Sequence, residues 1–200
     1  MSRQFNIIRG NSRDVEGAVR RGTAMSGTAP DRIETGRLLL RRFKDGDRAE
    51  MVRFYGDPEV MAVRKYGARD REAASAAFDV LMEHWRTHGF GLYAVIERES
   101  GAFCGECGLR YTDDGAEVEI SYGLFAPFRG KGYATEAAAA IRDIALDVLK
   151  LPVLIARSRG DNRGSHTVLE KIGMAFAGRR ESPGHAHGVV KYVIRRETGS

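Results

Sequence analysis

Two hundred residues, 42% of them hydrophobic, suffice for one domain with a full core. No apolar run approaches the ~20 residues of a membrane helix, no apolar leader opens the chain, and two cysteines make no disulfide framework, so a cytoplasmic protein is expected. The net charge is +5, yet residues 1–30 hold five arginines against Asp14 and Glu16; the small surplus on the rest speaks against nucleic-acid binding, which concentrates basic charge on the domain.

Residues 1–30 show no sustained period and are broken at Gly10-Asn11-Ser12 and Ser26-Gly27-Thr28-Ala29-Pro30. They are expected to form a tail, with residues 31–200 as the folded domain. The tail reads either as a basic arm drawn to RNA or membrane, or as an extension without a role, with Met25 as an alternative start. Leu38 and Leu40 alternate with Leu39 and Arg41 and predict a first strand. Asp45 or Asp47 is placed to cap a helix that buries Met51, Val52 and Tyr55, ending at Gly56-Asp57-Pro58. Asp70 is placed to cap a second helix with Ala74, Phe78, Leu81 and Trp85 on one stripe, stopped by Gly89. His84 and His88 lie four apart on it, but without a third ligand they read as packing residues.

Strands are expected over Gly91–Glu97 and Phe103–Tyr111, joined at Ser100-Gly101. Cys104 and Cys107 have redox spacing but fall inside a strand, away from the helix start that stabilises a thiolate, so they read as small buried residues. Asp113-Asp114-Gly115 turns the chain into a strand in which Val118, Ile120, Tyr122 and Leu124 alternate. Gly123 is a candidate bulge that opens this strand. Pro127 stops it. Arg129-Gly130-Lys131-Gly132-Tyr133-Ala134 follows, and then a helix carrying Ala137, Ile141, Ile144, Ala145, Val148 and Leu149 on one stripe. Two glycines and two cations thus sit where a strand feeds a helix, whose first N–H groups and dipole attract anions. The loop is neither a Walker A nor a dinucleotide fingerprint, and taken alone it also reads as a flexible basic turn. Val153–Arg157 predicts a strand. Asp161 or Asn162 is placed to cap a short helix with Val168, Leu169 and Ile172, ended by Gly173. Phe176 marks a further strand. The loop Ser182–Gly188, with its His185-x-His187 pair, reads as a polar turn rather than a metal site, and the alternation from Val189 to Arg195 gives the last strand. The pattern is α+β: mostly antiparallel strands with helices on their faces.

Arg129-x-x-Gly132-x-Ala134, inside the longer string Arg-Gly-Lys-Gly-Tyr-Ala-Thr-Glu-Ala, resembles the acyl-CoA pyrophosphate loop of the GNAT superfamily of N-acetyltransferases. Asp161-Asn162-Arg163-Gly164-Ser165 and Leu169–Met174 resemble its second signature. Arg37–Arg41 and Asp57–Met61 are similar to the opening of its ribosomal-protein N-terminal acetyltransferase branch. The resemblance implies a mixed sheet splayed between the Val118 and Val153 strands, with acyl-CoA in the cleft. It implies acetyl-CoA as the acyl donor, without a metal, and a primary amine as acceptor, either a protein N-terminal α-amine or a small-molecule amine. Homodimer formation stays open, and neither nucleic acid nor membrane is implied as a partner.

Acyl transfer from a thioester to an amine requires an anchored donor, a polarised carbonyl, a neutral amine and a leaving thiolate. By resemblance, Arg129, Gly130, Lys131, Gly132, Tyr133 and Ala134 hold the pyrophosphate, and Leu124, Phe125, Ala126 and Asn162 hold the pantetheine arm. Ser165 meets the CoA sulfur, in addition to the capping role that Asn162 and Ser165 suit. Glu119 matches the strand carboxylate that serves as base, often through water, and otherwise reads as a solvated or salt-bridged strand residue; Glu106 is its rival. The tyrosine acid of many relatives has no counterpart among His166, Val168 and Leu169, which leaves Ser165 as the candidate. With no evident nucleophile beside a base, direct attack is expected. An O-acetyltransferase and a catalytically silent acyl-CoA sensor are the alternatives.

Overall fold

Leu38 and Leu40 of strand β2 (Leu38–Arg42) are fully buried while Leu39 and Arg41 are half-exposed, the alternation of a strand with one covered face. β2 belongs to an eight-stranded sheet in a computed structural model that describes residues 27–64, 67–182 and 185–197. Most of the predicted tail therefore lies outside the described residues, as do Pro183 and Gly184 of the predicted histidine loop. The spatial order is β1-β2-β3-β4-β5-β6-β8-β7, with β1 at Arg32–Glu34, β3 at Leu92–Glu97, β4 at Phe103–Tyr111 and β5 at Val118–Leu124. β6 runs Val153–Arg159, β7 Ala175–Ser182 and β8 His185–Arg195. Every neighbouring pair is antiparallel except β5 and β6. The expected α+β mixed sheet is thus observed.

β1 is the strand that pattern reading missed. Its three residues are exposed or half-exposed and carry no apolar period; they are extended because they pair with β2. Ala29, assigned to the tail, is 3% exposed, donates its N–H to Gly89 O at 3.0 Å, and its neighbour Pro30 accepts from the Tyr93 hydroxyl at 2.7 Å.

Helix α1 (Arg48–Gly56) buries Met51, Phe54 and Tyr55, so Phe54 takes the place expected for Val52. Asp47 stands at its N-cap position, but its carboxylate goes to Arg41, at 2.7 and 2.8 Å, and to Lys44 N. Asp57 caps a further short helix, α2 (Pro58–Met61), accepting from Glu59 N and Val60 N, so Gly56-Asp57-Pro58 joins two helices. α3 (Arg71–His88) starts on Asp70, which accepts from Ala73 N at 2.8 Å, buries Ala74, Phe78, Leu81 and Trp85, and ends on left-handed Gly89. His84 is held between Phe90 O and Tyr111 N. Cys104 and Cys107 are free and buried; burial pushes the Cys104 thiol up to about 11. Among the described residues no helix is long and apolar enough to cross a membrane, and no group of three metal-ligating side chains is gathered.

The register of β4 with β5 is unbroken from Gly105–Leu124 to Tyr111–Val118, so the bulge anticipated at Gly123 is absent; an irregularity lies instead between β3 and β4 at Val95 and Ile96. Gly123 serves another purpose. A Cβ there would stand 2.5 Å from Arg64 Nη2, so glycine lets the guanidinium lie against the strand. After β5 come α4 (Tyr133–Asp143), a wider helical turn at Ile144–Val148, and β6. This is the helical crossover that a parallel pair needs. α4 packs on β4 and β5. α5 (Arg163–Lys171) follows β6.

Candidate active site

β5 and β6 are paired at one register position, Glu119 with Ile155; β5 then runs on to Leu124 along β4, and β6 to Arg159 along β8, without pairing further with each other. Because the strands are parallel, the loops leading to α4 and α5 leave from the same end of the opening. A cavity of about 410 Å³ lies there, lined by Glu119, Tyr122, Ser158, Asn162 and Ser165, with arginines from several elements. That volume suits a small-molecule site.

At the start of α4, Gly132 is the N-cap residue in left-handed conformation (φ 81), and no side chain caps the helix. Glu136 N is the first helix N–H with a backbone partner, Gly132 O at 3.0 Å. The preceding N–H groups are the orphan donors of a helix start, and the dipole makes them attractive to an anion. Gly130 is also left-handed (φ 73), and a Cβ there would meet nothing within 4 Å. Gly130, Lys131 and Gly132 are exposed, Ala134 is half-buried and Tyr133 is buried, its hydroxyl on Glu97 Oε1 at 2.5 Å. Arg129 turns away from a purely electrostatic part: Nε donates to Leu124 O at 2.9 Å and Nη1 to Glu59 Oε1 at 2.9 Å, fastening the end of β5 to α2. Leu124 and Phe125 are buried, Ala126 is exposed, and Phe125 N bonds Cys104 O.

Arg37 and Glu136 hold this loop in place. Arg37 Nη1 donates to Lys131 O at 2.8 Å. Glu136 accepts from Thr35 Oγ1, Arg37 N and Arg37 Nε at 2.6–2.7 Å. Burial alone would push the Glu136 carboxyl up, but the bonds from Thr35 and Arg37 hold it below the ordinary carboxylate range. Its stabilising effect is therefore present at neutral pH and lost as pH falls through the folded-state value. Glu136→Gln should lower the melting temperature at pH 7, and thermal scans should show the difference from the parent shrinking once pH falls below ~4.

Glu119 is 6% exposed, so the solvated reading of this residue is corrected. Oε1 pairs with Arg110 Nη2 at 2.6 Å, and Oε2 is buried without a hydrogen-bond partner among the described residues. Glu106, its rival, is fully buried between the Tyr55 hydroxyl (2.8 Å) and Arg64 Nη1 (2.7 Å), and does not line the cavity. Asn162 accepts from Ser165 N at 3.2 Å, the expected cap. Ser165 Oγ is 2.9 Å from the Tyr122 hydroxyl. Burial pushes the Tyr122 phenol well above its ordinary value despite the opposing bond to Ser165, so it stays protonated beside Ser165. Pattern reading missed this residue by grouping it with the apolar Val118, Ile120 and Leu124. The available signal was a phenol in an otherwise aliphatic alternation. His166 occupies itself with Arg159 O at 3.0 Å.

The structure thus gathers Glu119, Asn162 and Ser165, adds Tyr122, and leaves Leu124–Ala134 outside the cavity lining, from the end of β5 to the start of α4. Among the charged side chains of the wall the basic ones prevail: Arg64, Arg69, Arg110, Arg157, Arg159 and Arg180 face it, against Asp113 and Glu119.

A family model described as "Acetyltransferase (GNAT) domain" matches residues 37–175. The chain is 28% identical over 146 residues to the uncharacterized N-acetyltransferase YnaD of Bacillus subtilis, covering 73% of this chain and 84% of the relative. An acetyltransferase from Agrobacterium tumefaciens superposes with a TM-score of 0.73 at 27% identity, covering 84% of this chain and 96% of that one. A ribosomal-protein-S5-alanine acetyltransferase from Vibrio fischeri shares the fold at a TM-score of 0.69 and 15% identity, over 83% and 97% of the two chains.

Proposed function

The chain belongs to the GNAT acetyltransferase family, and we propose that this N-acetyltransferase passes the acetyl group of acetyl-CoA to a primary amine, either a peptide α-amine or a small-molecule amine, by direct attack. The observation that carries the reading is one cavity at the β5–β6 opening that holds a buried carboxylate, Glu119, and a hydroxyl pair, Ser165 and Tyr122. In this reading the orphan N–H groups from Gly130 to Ala134 take the pyrophosphate. Lys131 adds charge, and Arg129 keeps the β5 end in position beside the pantetheine-binding stretch Leu124–Ala126. Asn162 serves the pantetheine arm as well as the helix cap. Glu119 takes the ammonium proton, directly or through a water. Ser165, backed by the neutral Tyr122 phenol, donates to the sulfur as the thiolate leaves.

The test follows free thiol from acetyl-CoA with and without amines and records the mass of the acceptor. Thiol release that depends on the amine, with a gain of one acetyl group on nitrogen, is the expected result. Binding of acetyl-CoA without release would make the protein a sensor, and acetylation of hydroxyls alone would make it an O-acetyltransferase. Ser165→Ala and Tyr122→Phe should each lower kcat by roughly 10- to 100-fold, the range of one hydrogen bond to a charged partner. The affinity for CoA should change little, because charge on sulfur develops only late in the reaction. Loss of helix stability without loss of turnover would reduce Ser165 to its capping role.

A further inference from the structure

The wall of the cavity carries a surplus of four positive charges. We propose that the acceptor is an anionic amine: a molecule whose primary amine has a carboxylate or phosphate close by. Its anion lies against the arginines and its ammonium meets Glu119. This rests on the N-acetyltransferase reading and names its substrate class.

Arg64, Arg110, Arg157 and Arg159 have carboxylate partners, but three of those acids stand behind the wall. Glu106 is fully buried on Arg64. Glu117 holds Arg157 at 3.2 Å and Lys191 at 2.6 Å. Asp161 pairs with Arg159 at 2.5 Å. None of the three lines the cavity. A guanidinium has five N–H donors. Arg110 and Arg157 each give one Nη2 to a carboxylate, so donors remain for a second anion in the bidentate geometry that carboxylates and phosphates favour. Arg180, exposed on β7, has no carboxylate partner among the described residues. On the other side, Glu119 Oε2 is a buried acceptor without a hydrogen-bond partner among the described residues. An incoming ammonium would satisfy it. The cavity therefore offers one anionic point and a broad cationic wall, which fits an amine with a negative charge nearby. A polyamine would bring further positive charge against the arginines, and like charges at an interface weaken binding.

The experiment compares four acceptors under saturating acetyl-CoA: a peptide with Asp or Glu at its second and third positions, its Lys counterpart, free glutamate, and spermidine. The anionic acceptors should exceed the cationic ones in kcat/KM by at least about tenfold, with the gap narrowing as salt is raised. Peptide against free glutamate tells which source supplies the anion. Arg180→Glu should raise KM for the anionic acceptor roughly fivefold to tenfold, while kcat and CoA affinity stay within about twofold. Equal or better use of spermidine or the Lys peptide overturns the proposal and leaves the transferase reading intact. So does an unchanged KM in Arg180→Glu. If no acceptor is acetylated, the transferase reading falls. Calorimetric titration of the two peptides into the CoA-loaded protein then decides the charge preference by itself, tighter acidic binding supporting it and equal binding overturning it.

Discussion

Gly132→Asp is expected to weaken acetyl-CoA binding by about 10²- to 10³-fold while the protein stays folded. Gly132 is the N-cap of α4 in a left-handed conformation, φ 81, without a capping side chain. Aspartate tolerates that conformation better than most residues, at a cost of about 1–2 kcal/mol. Its Cβ would stand 3.3 Å from Arg37 Nη2, a tight contact that the far end of the long Arg37 side chain relieves by a small shift, and the new carboxylate meets a cation. The damage falls on the ligand. A negative charge set beside the donors that would take the pyrophosphate replaces attraction by repulsion, a difference of several kcal/mol. Gly132→Ala separates the causes, since it carries the backbone strain without the charge. Titration calorimetry with acetyl-CoA should rank parent, Ala and Asp in falling affinity. Unchanged affinity in the Asp variant would remove the α4 start from the binding site.

The parts legible in the sequence were those fixed by local chemistry. Asp70, the Ala74–Trp85 stripe and Gly89 define α3 because cap, period and stop all agree. The loop before α4 was legible for the same reason, since the turn from strand to helix needs left-handed backbone, and Gly130 and Gly132 reach it without a steric cost. What was hidden depends on partners distant in sequence. β1 has no pattern of its own and exists through β2. Gly123 suggested a bulge, but the neighbour that requires glycine is Arg64, far away in the chain. Period-two reading also assigned Glu119 and Tyr122 to opposite faces of β5, yet both line the cavity. The cavity follows the edge that β5 leaves unpaired beyond Glu119, and an edge is reached from either face. The clamp of Arg37 on Lys131 O and Glu136 joins segments almost a hundred positions apart, and no local signal announces it.

Glu119→Gln should reduce turnover by ~10²- to 10⁴-fold at neutral pH, the range for loss of a general base. Glutamine keeps the shape and retains a carbonyl acceptor for Arg110. The Arg110 side chain is 47% exposed, so water and salt screen it once the carboxylate is gone, and the melting temperature should move little. The pH profile is the sharper test. An acceptor must lose a proton before its nitrogen attacks, and without the carboxylate only bulk water takes it. The deficit of the variant should therefore shrink as pH rises towards the pKa of the amine, about 8 for an α-amine and about 10.4 for a lysine. One profile then reports on two questions: whether Glu119 moves the proton, and which kind of amine supplies it. A deficit that is the same at every pH would mean that Glu119 works by holding Arg110 in the wall rather than by proton transfer. Arg110→Ala would then reproduce it. A variant with parental turnover would leave bulk water as the base, because Glu106, fully buried against Tyr55 and Arg64, has no access to the cavity.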